Sequence, residues 1–166
     1  MKQGVFNAGI SLLMAAVLAS CGGNGTEQAK QTQSAIKSSV PGAVPTTATG
    51  YMMNAKLDGK YWSATSMMPP DAAGRIIGYN NGEYIGLPYN SRRLEVGKKE
   101  VFGEDNAVDL ATNDKESIWG GRKGEMEITK VGDGWAEGKF FFTAVSRSGK
   151  TMEVTEGFFR IPLSKN

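Results

Sequence analysis

Glu125 and Glu127 stand two residues apart in an alternating stretch, as do Glu153 and Thr155, so each pair falls on one face of a strand. Glycoside hydrolysis needs two carboxylates about 5–9.5 Å apart across a cleft. Same-face pairs arise by default on any solvated strand, and these are expected to be such a face. Ser146-Arg147-Ser148-Gly149-Lys150 brings a serine within two residues of a lysine, but the run has the composition of a hairpin tip. The chain has no histidine. That removes triads with an imidazole base, His-ligated zinc or haem, and an imidazole pH switch. Neither Glu104-Asp105-Asn106 nor Asn113-Asp114-Lys115-Glu116 has the spacing of an EF-hand loop. No catalytic residue, metal or cofactor is therefore expected, and the chain is expected not to be an enzyme.

Binding residues are a different matter. Trp119 precedes Gly120-Gly121-Arg122-Lys123-Gly124, which is expected to be a mobile turn, since neither phosphate-loop spacing nor a following helix accompanies it. Tyr79, Tyr84 and Tyr89 gather around one hairpin, and Trp135 follows a glycine-rich turn. Flat aromatic faces and arginine suit sugar stacking or protein contact. Trp119 with Arg122, and beside them Tyr89, are the candidate contacts. Trp62, Phe140, Phe142 and Phe159 are expected to fill the core, and Trp135 to cap one end of it. Lysine plus arginine total 19 and aspartate plus glutamate 17, so there is no field suited to nucleic acid.

The remaining reactive group is Cys21, the only cysteine of the 166 residues. It follows a basic Lys2, the apolar run Leu12 to Ala19, and Ser20. A basic start, about 7–15 apolar residues and small residues beyond them mark a secretory signal. A spanning helix would need about 20 mostly apolar residues, more than this stretch holds. Leu18-Ala19-Ser20-Cys21 resembles the lipobox of bacterial lipoproteins. The resemblance implies cleavage before Cys21, diacylation of its thiol and usually acylation of the new amine. Two or three acyl chains anchor durably where one does not. By analogy with enteric lipoproteins, Gly22 in place of an aspartate leans toward the outer membrane.

Three segments follow from this: a signal at 1–20, the acylated cysteine with a flexible linker at 21–50, and a globular domain at 51–166. The linker is rich in Gly, Ser, Thr, Gln and Ala and has no aromatic residue. Such a segment cannot bury enough apolar surface to offset about 1–2 kcal/mol of backbone entropy per residue. Beyond Tyr51 acidic and basic residues are equal in number.

The domain alternates with period two. Asp58-Gly59, Asn80-Asn81-Gly82, Gly132-Asp133-Gly134 and Ser146 to Gly149 punctuate it as hairpin turns. Leu94 to Phe102 is expected to be a bent strand, and Pro162 to place the last strand at an edge or with its N side unpaired. About eight or nine short strands without an amphipathic helix predict an all-β antiparallel fold, a sandwich or a barrel. NAKLDGKYWSA near the start and GKFFFTAVSRSGKTMEVTEGFF near the end resemble a family of small secreted lipoproteins of unknown function. That resemblance implies a compact antiparallel β fold and no activity.

The expectation is a non-catalytic binding module in the cell envelope, held to the membrane by its N-terminal lipid, with an unidentified protein or glycan partner and no nucleic acid. The alternatives are a periplasmic inhibitor or immunity-type protein that inserts a loop into an enzyme cleft, and a carbohydrate-binding accessory domain.

Overall fold

A computed structural model describes residues 40–104 and 106–163. The expected signal at 1–20 and Cys21 lie outside the described residues. Among the described residues eleven strands form one antiparallel sheet: β1 (Val44–Pro45), β2 (Met52–Leu57), β3 (Lys60–Ser63), β4 (Ser66–Met68), β5 (Arg75–Asn80), β6 (Glu83–Pro88), β7 (Lys99–Phe102), β8 (Val108–Ala111), β9 (Ile118–Gly132), β10 (Trp135–Ser146) and β11 (Thr151–Pro162). Single helical turns occur at α1 (Thr46–Thr49) and α2 (Pro70–Ala73). No helix among the described residues is long and apolar enough to cross a membrane.

The hairpin turns set the register. Asp58-Gly59, Asn81-Gly82 and Asp133-Gly134 all have positive φ at both positions. That is the type I′ geometry, whose twist matches the right-handed twist of the strands it joins. The sheet then curls until its ends meet. Residues 60–68 form a single kinked stave whose first half pairs with β2 and whose second half pairs with β5. At the kink, Ala64 N donates to Met53 O (2.9 Å) and Thr65 N donates to Tyr79 O (2.8 Å). β7 and β8 likewise share one edge of β9, facing Gly124–Glu127 and Ile118–Gly121. The ring is thus β2, β3–β4, β5, β6, β7–β8, β9, β10 and β11, and the fold is a closed barrel.

Inward-facing side chains fill the barrel. Phe140 and Phe142 stack at 6.3 Å, Phe140 and Phe159 at 6.5 Å, and Phe102 meets Phe142 edge-on at 6.2 Å. Each such ring contributes about 1.5–3 kcal/mol on burial. Trp62, Phe140, Phe142 and Phe159 are all buried, as their spacing predicts. Close packing of the rings leaves no room for a side chain at some facing positions. A Cβ on Gly157 would lie 2.5 Å from the Phe140 ring.

Three local expectations are corrected. The folded unit begins before residue 51, because β1 pairs with β4 and Thr46 N donates to Thr65 O. β1 covers an edge of β4 that β2 does not reach. Gly120–Gly124 is no mobile turn but the middle of β9, where glycine hides the alternation from view. A Cβ on Gly121 would stand 2.7 Å from Val108 Cβ, so the glycine is a point of close approach between staves. Of Leu94–Phe102 only Lys99–Phe102 is strand, preceded by a 3₁₀ turn at Ser91–Arg93, whose Arg92 N donates to the Asn90 side chain. For Pro162 the second of the two expected alternatives holds: β11 lies between β10 and β2, but pairing with β2 stops at Arg160, so the N side of Pro162 is unpaired.

Candidate functional site

The three residues read from sequence as contacts do not form one surface. Trp119 is only 4% exposed, and its Nε1 donates to Thr112 Oγ1 at 2.9 Å. The expectation of an exposed Trp119 is therefore corrected: on β9 it shares the inward parity of Gly121, and its one polar atom is satisfied inside. Arg122 is exposed. It is the extra residue of a β-bulge, since Thr143 faces Lys123 and Ala144 faces Gly121. Tyr89 is half-buried against the core beyond the end of β6. Tyr79 and Tyr84 are cross-strand neighbours with rings 6.0 Å apart, and burial, followed by the Tyr84 charge, raises the Tyr79 phenol above its ordinary pKa. The expectation that Trp135 caps the core is corrected: next to inward Ala136 it shares the outward parity of Glu137 and Lys139, and it lies half-buried on the wall with Tyr51 edge-on at 6.3 Å and the Arg160 guanidinium 4.5 Å from its ring centre.

The serine–lysine run is a hairpin tip with a clamp. Ser146 Oγ lies 3.1 Å from Ser148 Oγ, Lys150 N donates to Ser146 Oγ, and Lys150 Nζ reaches Glu116 Oε1 at 2.9 Å. The Glu116 carboxylate holds the Lys150 ammonium above its ordinary pKa. In return Lys150, then the Ser148 and Ser146 hydroxyls, hold Glu116 below the usual carboxylate range. Among the described residues no group of three or more acidic or thiol side chains is placed to hold a metal.

A different place on the wall is concave. The outward residues of β9, β10 and β11 frame a groove of about 480 Å³, lined by Glu125, Glu127, Lys139, Phe141, Glu156 and Phe158. A bulge in β11 accompanies it. Phe140 faces Gly157 and Phe142 faces Val154, so Phe141 stands across from two residues, Thr155 and Glu156. Glu156 has φ 51°, a left-handed conformation uncommon for a residue with a side chain. Phe141 is left 51% exposed; Val101 on β7, the cross-strand neighbour of Glu125, is 66% exposed.

Charge surrounds that apolar floor. Lys99 Nζ meets Glu125 Oε1 at 2.8 Å, and this hydrogen bond raises the Lys99 pKa. Lys56 Nζ meets Glu156 Oε1 at 2.7 Å. Both pairs are at the solvent, where such contacts contribute about 0–1 kcal/mol. Glu153, by contrast, accepts from Thr143 Oγ1 at 3.0 Å. Glu125 and Glu127 thus share a face as their spacing predicts, but that face lines a groove. Phe141, Glu156 and Phe158 were missed. The signal for Phe141 was present: in a run of three phenylalanines with Phe140 and Phe142 inward, parity sends the middle ring out.

A smaller hollow of about 290 Å³ lies over β2 and β3, where Tyr61 is 72% exposed beside Asn54, Ser63, Thr46 and Thr47. Asn54 is the cross-strand neighbour of Phe158, so the two hollows adjoin on one side of the barrel. No protein-family model, curated protein or solved structure matches the chain, so its function is argued from these two hollows and from the motif at Cys21.

Proposed function

We propose that this is a lipid-anchored protein of the cell envelope, held to the outer membrane through Cys21, whose barrel is a non-catalytic binding module for another protein. The observation that carries the binding role is the outward groove over β9–β11. Its half-exposed Phe141 and acidic rim are what a contact surface needs, while the barrel interior is occupied by the chain's own rings. The LASC motif at residues 18–21 after an apolar run supports the anchor. An inhibitor would need a protruding loop, for which the glycine-rich residues 119–124 are the candidate. Those residues run within β9, which does not support that reading.

The test has two arms. Metabolic labelling with a palmitate analogue should mark wild-type protein and not Cys21→Ser; equal label in both refutes the anchor. A photo-cross-linker at position 141 should capture a discrete partner in intact envelopes, and one at Arg147, on a hairpin tip away from the groove, should not. Identical products from both positions refute the groove as the binding surface.

One observation favours a second reading, a carbohydrate-binding accessory domain: the exposed Tyr61 ring lies among amide and hydroxyl groups that could bond a sugar edge. Quenching of tyrosine emission by a glycan panel, lost in Tyr61→Ala, would support it. No response to any glycan would remove it.

A further inference from the structure

We propose that the groove over β9–β11 receives a basic side chain, arginine above lysine, from an extended segment of the partner protein. This deepens the binding role proposed above and rests on it.

Charge complementarity selects the occupant. Three carboxylates, those of Glu125, Glu127 and Glu156, line the groove against one ammonium, Lys139. Glu127 forms no ion pair or hydrogen bond among the described residues and acts on Lys99 only at a distance. Lys99 and Lys56 neutralise the other two carboxylates from outside the groove, through exposed pairs that an incoming cation can displace cheaply.

Shape selects arginine. The Phe141 ring is half exposed in the groove, and a planar guanidinium can stack on such a ring while its fork donates to carboxylates at the rim. An ammonium could make the charge contact but not the stack. Neighbouring strands are about 4.8 Å apart, so a groove over three of them is roughly 10 Å wide, the breadth of one extended chain with its side chains. Exposed Val101, across from Glu125 on β7, would meet an apolar residue next to the arginine.

The probe is a blocked pentapeptide, Val-Arg-Phe-Arg-Val, titrated into the isotope-labelled full chain and followed by amide NMR. Its control replaces both arginines with glutamate. The basic peptide should shift resonances at 125–127, 139–141 and 156–158 saturably, and the acidic one should not. Phe141→Ser and Glu127→Gln should each weaken binding about threefold to tenfold, and salt raised toward 1 M should weaken it further. Both variants change exposed or half-exposed side chains, and unchanged spectra elsewhere confirm their fold.

Equal response to both peptides, or a response that neither variant alters, overturns the proposal. So do groove resonances that move on dilution without peptide, which would mark a second copy of the chain, or that move in Lys30→Ala/Lys37→Ala, which would mark the chain's own N-terminal segment. The two proposals fail separately. If the cross-linker at 141 maps to an acidic or neutral partner segment, the binding role stands and the arginine falls. If the basic peptide binds but position 141 captures nothing in envelopes, the groove chemistry stands and the binding role falls.

Discussion

β10 runs past two polar neighbourhoods that use the same side-chain types to opposite effect. At its Ser146 end, Lys150, Glu116 and two serine hydroxyls satisfy one another. Midway along, Glu127 has no ion pair or hydrogen bond among the described residues and Phe141 is half bare. The first neighbourhood has used its bonding capacity to pin a hairpin to the loop after β8. The second has kept its capacity for something outside. What separates them is the β11 bulge, which leaves two residues facing Phe141 and so opens the wall there.

The largest effect should come from the support beneath both. Phe142→Ala should cost about 3–5 kcal/mol in denaturant unfolding, whereas Phe141→Ser on the next residue should stay within about 0.5 kcal/mol. Comparable losses would mean that the faces of β10 are misassigned. Trp119→Phe should cost about 1–3 kcal/mol by orphaning the Thr112 hydroxyl; an unchanged unfolding midpoint would return Trp119 to the surface.

The clamp should be sensitive to pH in a defined sense. Glu116 has a lowered pKa, so its contribution is present above its unfolded value and fades as pH falls through the folded one. Lys150 has a raised pKa, so its contribution is present below its unfolded value and is lost as pH rises through the folded one. The Tm difference between wild type and Glu116→Gln should therefore be small, present at neutral pH, and gone in acid. A difference that grows in acid would refute the pairing. The smallest effect belongs to the groove: Glu127→Gln should leave Tm unchanged, and any drop would show that this carboxylate already has a structural partner.

Much of this architecture was legible in the residues. Asp58-Gly59, Asn81-Gly82 and Asp133-Gly134 announce their hairpins because few other pairs accept positive φ twice, and the parity of Phe140 and Phe142 announces the core. Closure was not legible. It depends on residues 60–68 bonding Met53 on one side and Tyr79 on the other, and alternation carries no trace of which strands pair. The candidate site was half legible. Glu125 and Glu127 were recognised as one face, but a bulge at Glu156 is a register event between strands, invisible from either strand alone. Trp119 misled because glycines at 120, 121 and 124 imitate a loop while serving as close-packing points within a long strand.

The pairing of β2 with β11 has a consequence for the order of events. Lys56 meets Glu156, a hundred positions further along the polypeptide, so the ring cannot shut until its final stave is delivered. Such long-range closure is slow. A chain that emerges N-terminus first would thus hold β2 open until β11 arrives to pair with it.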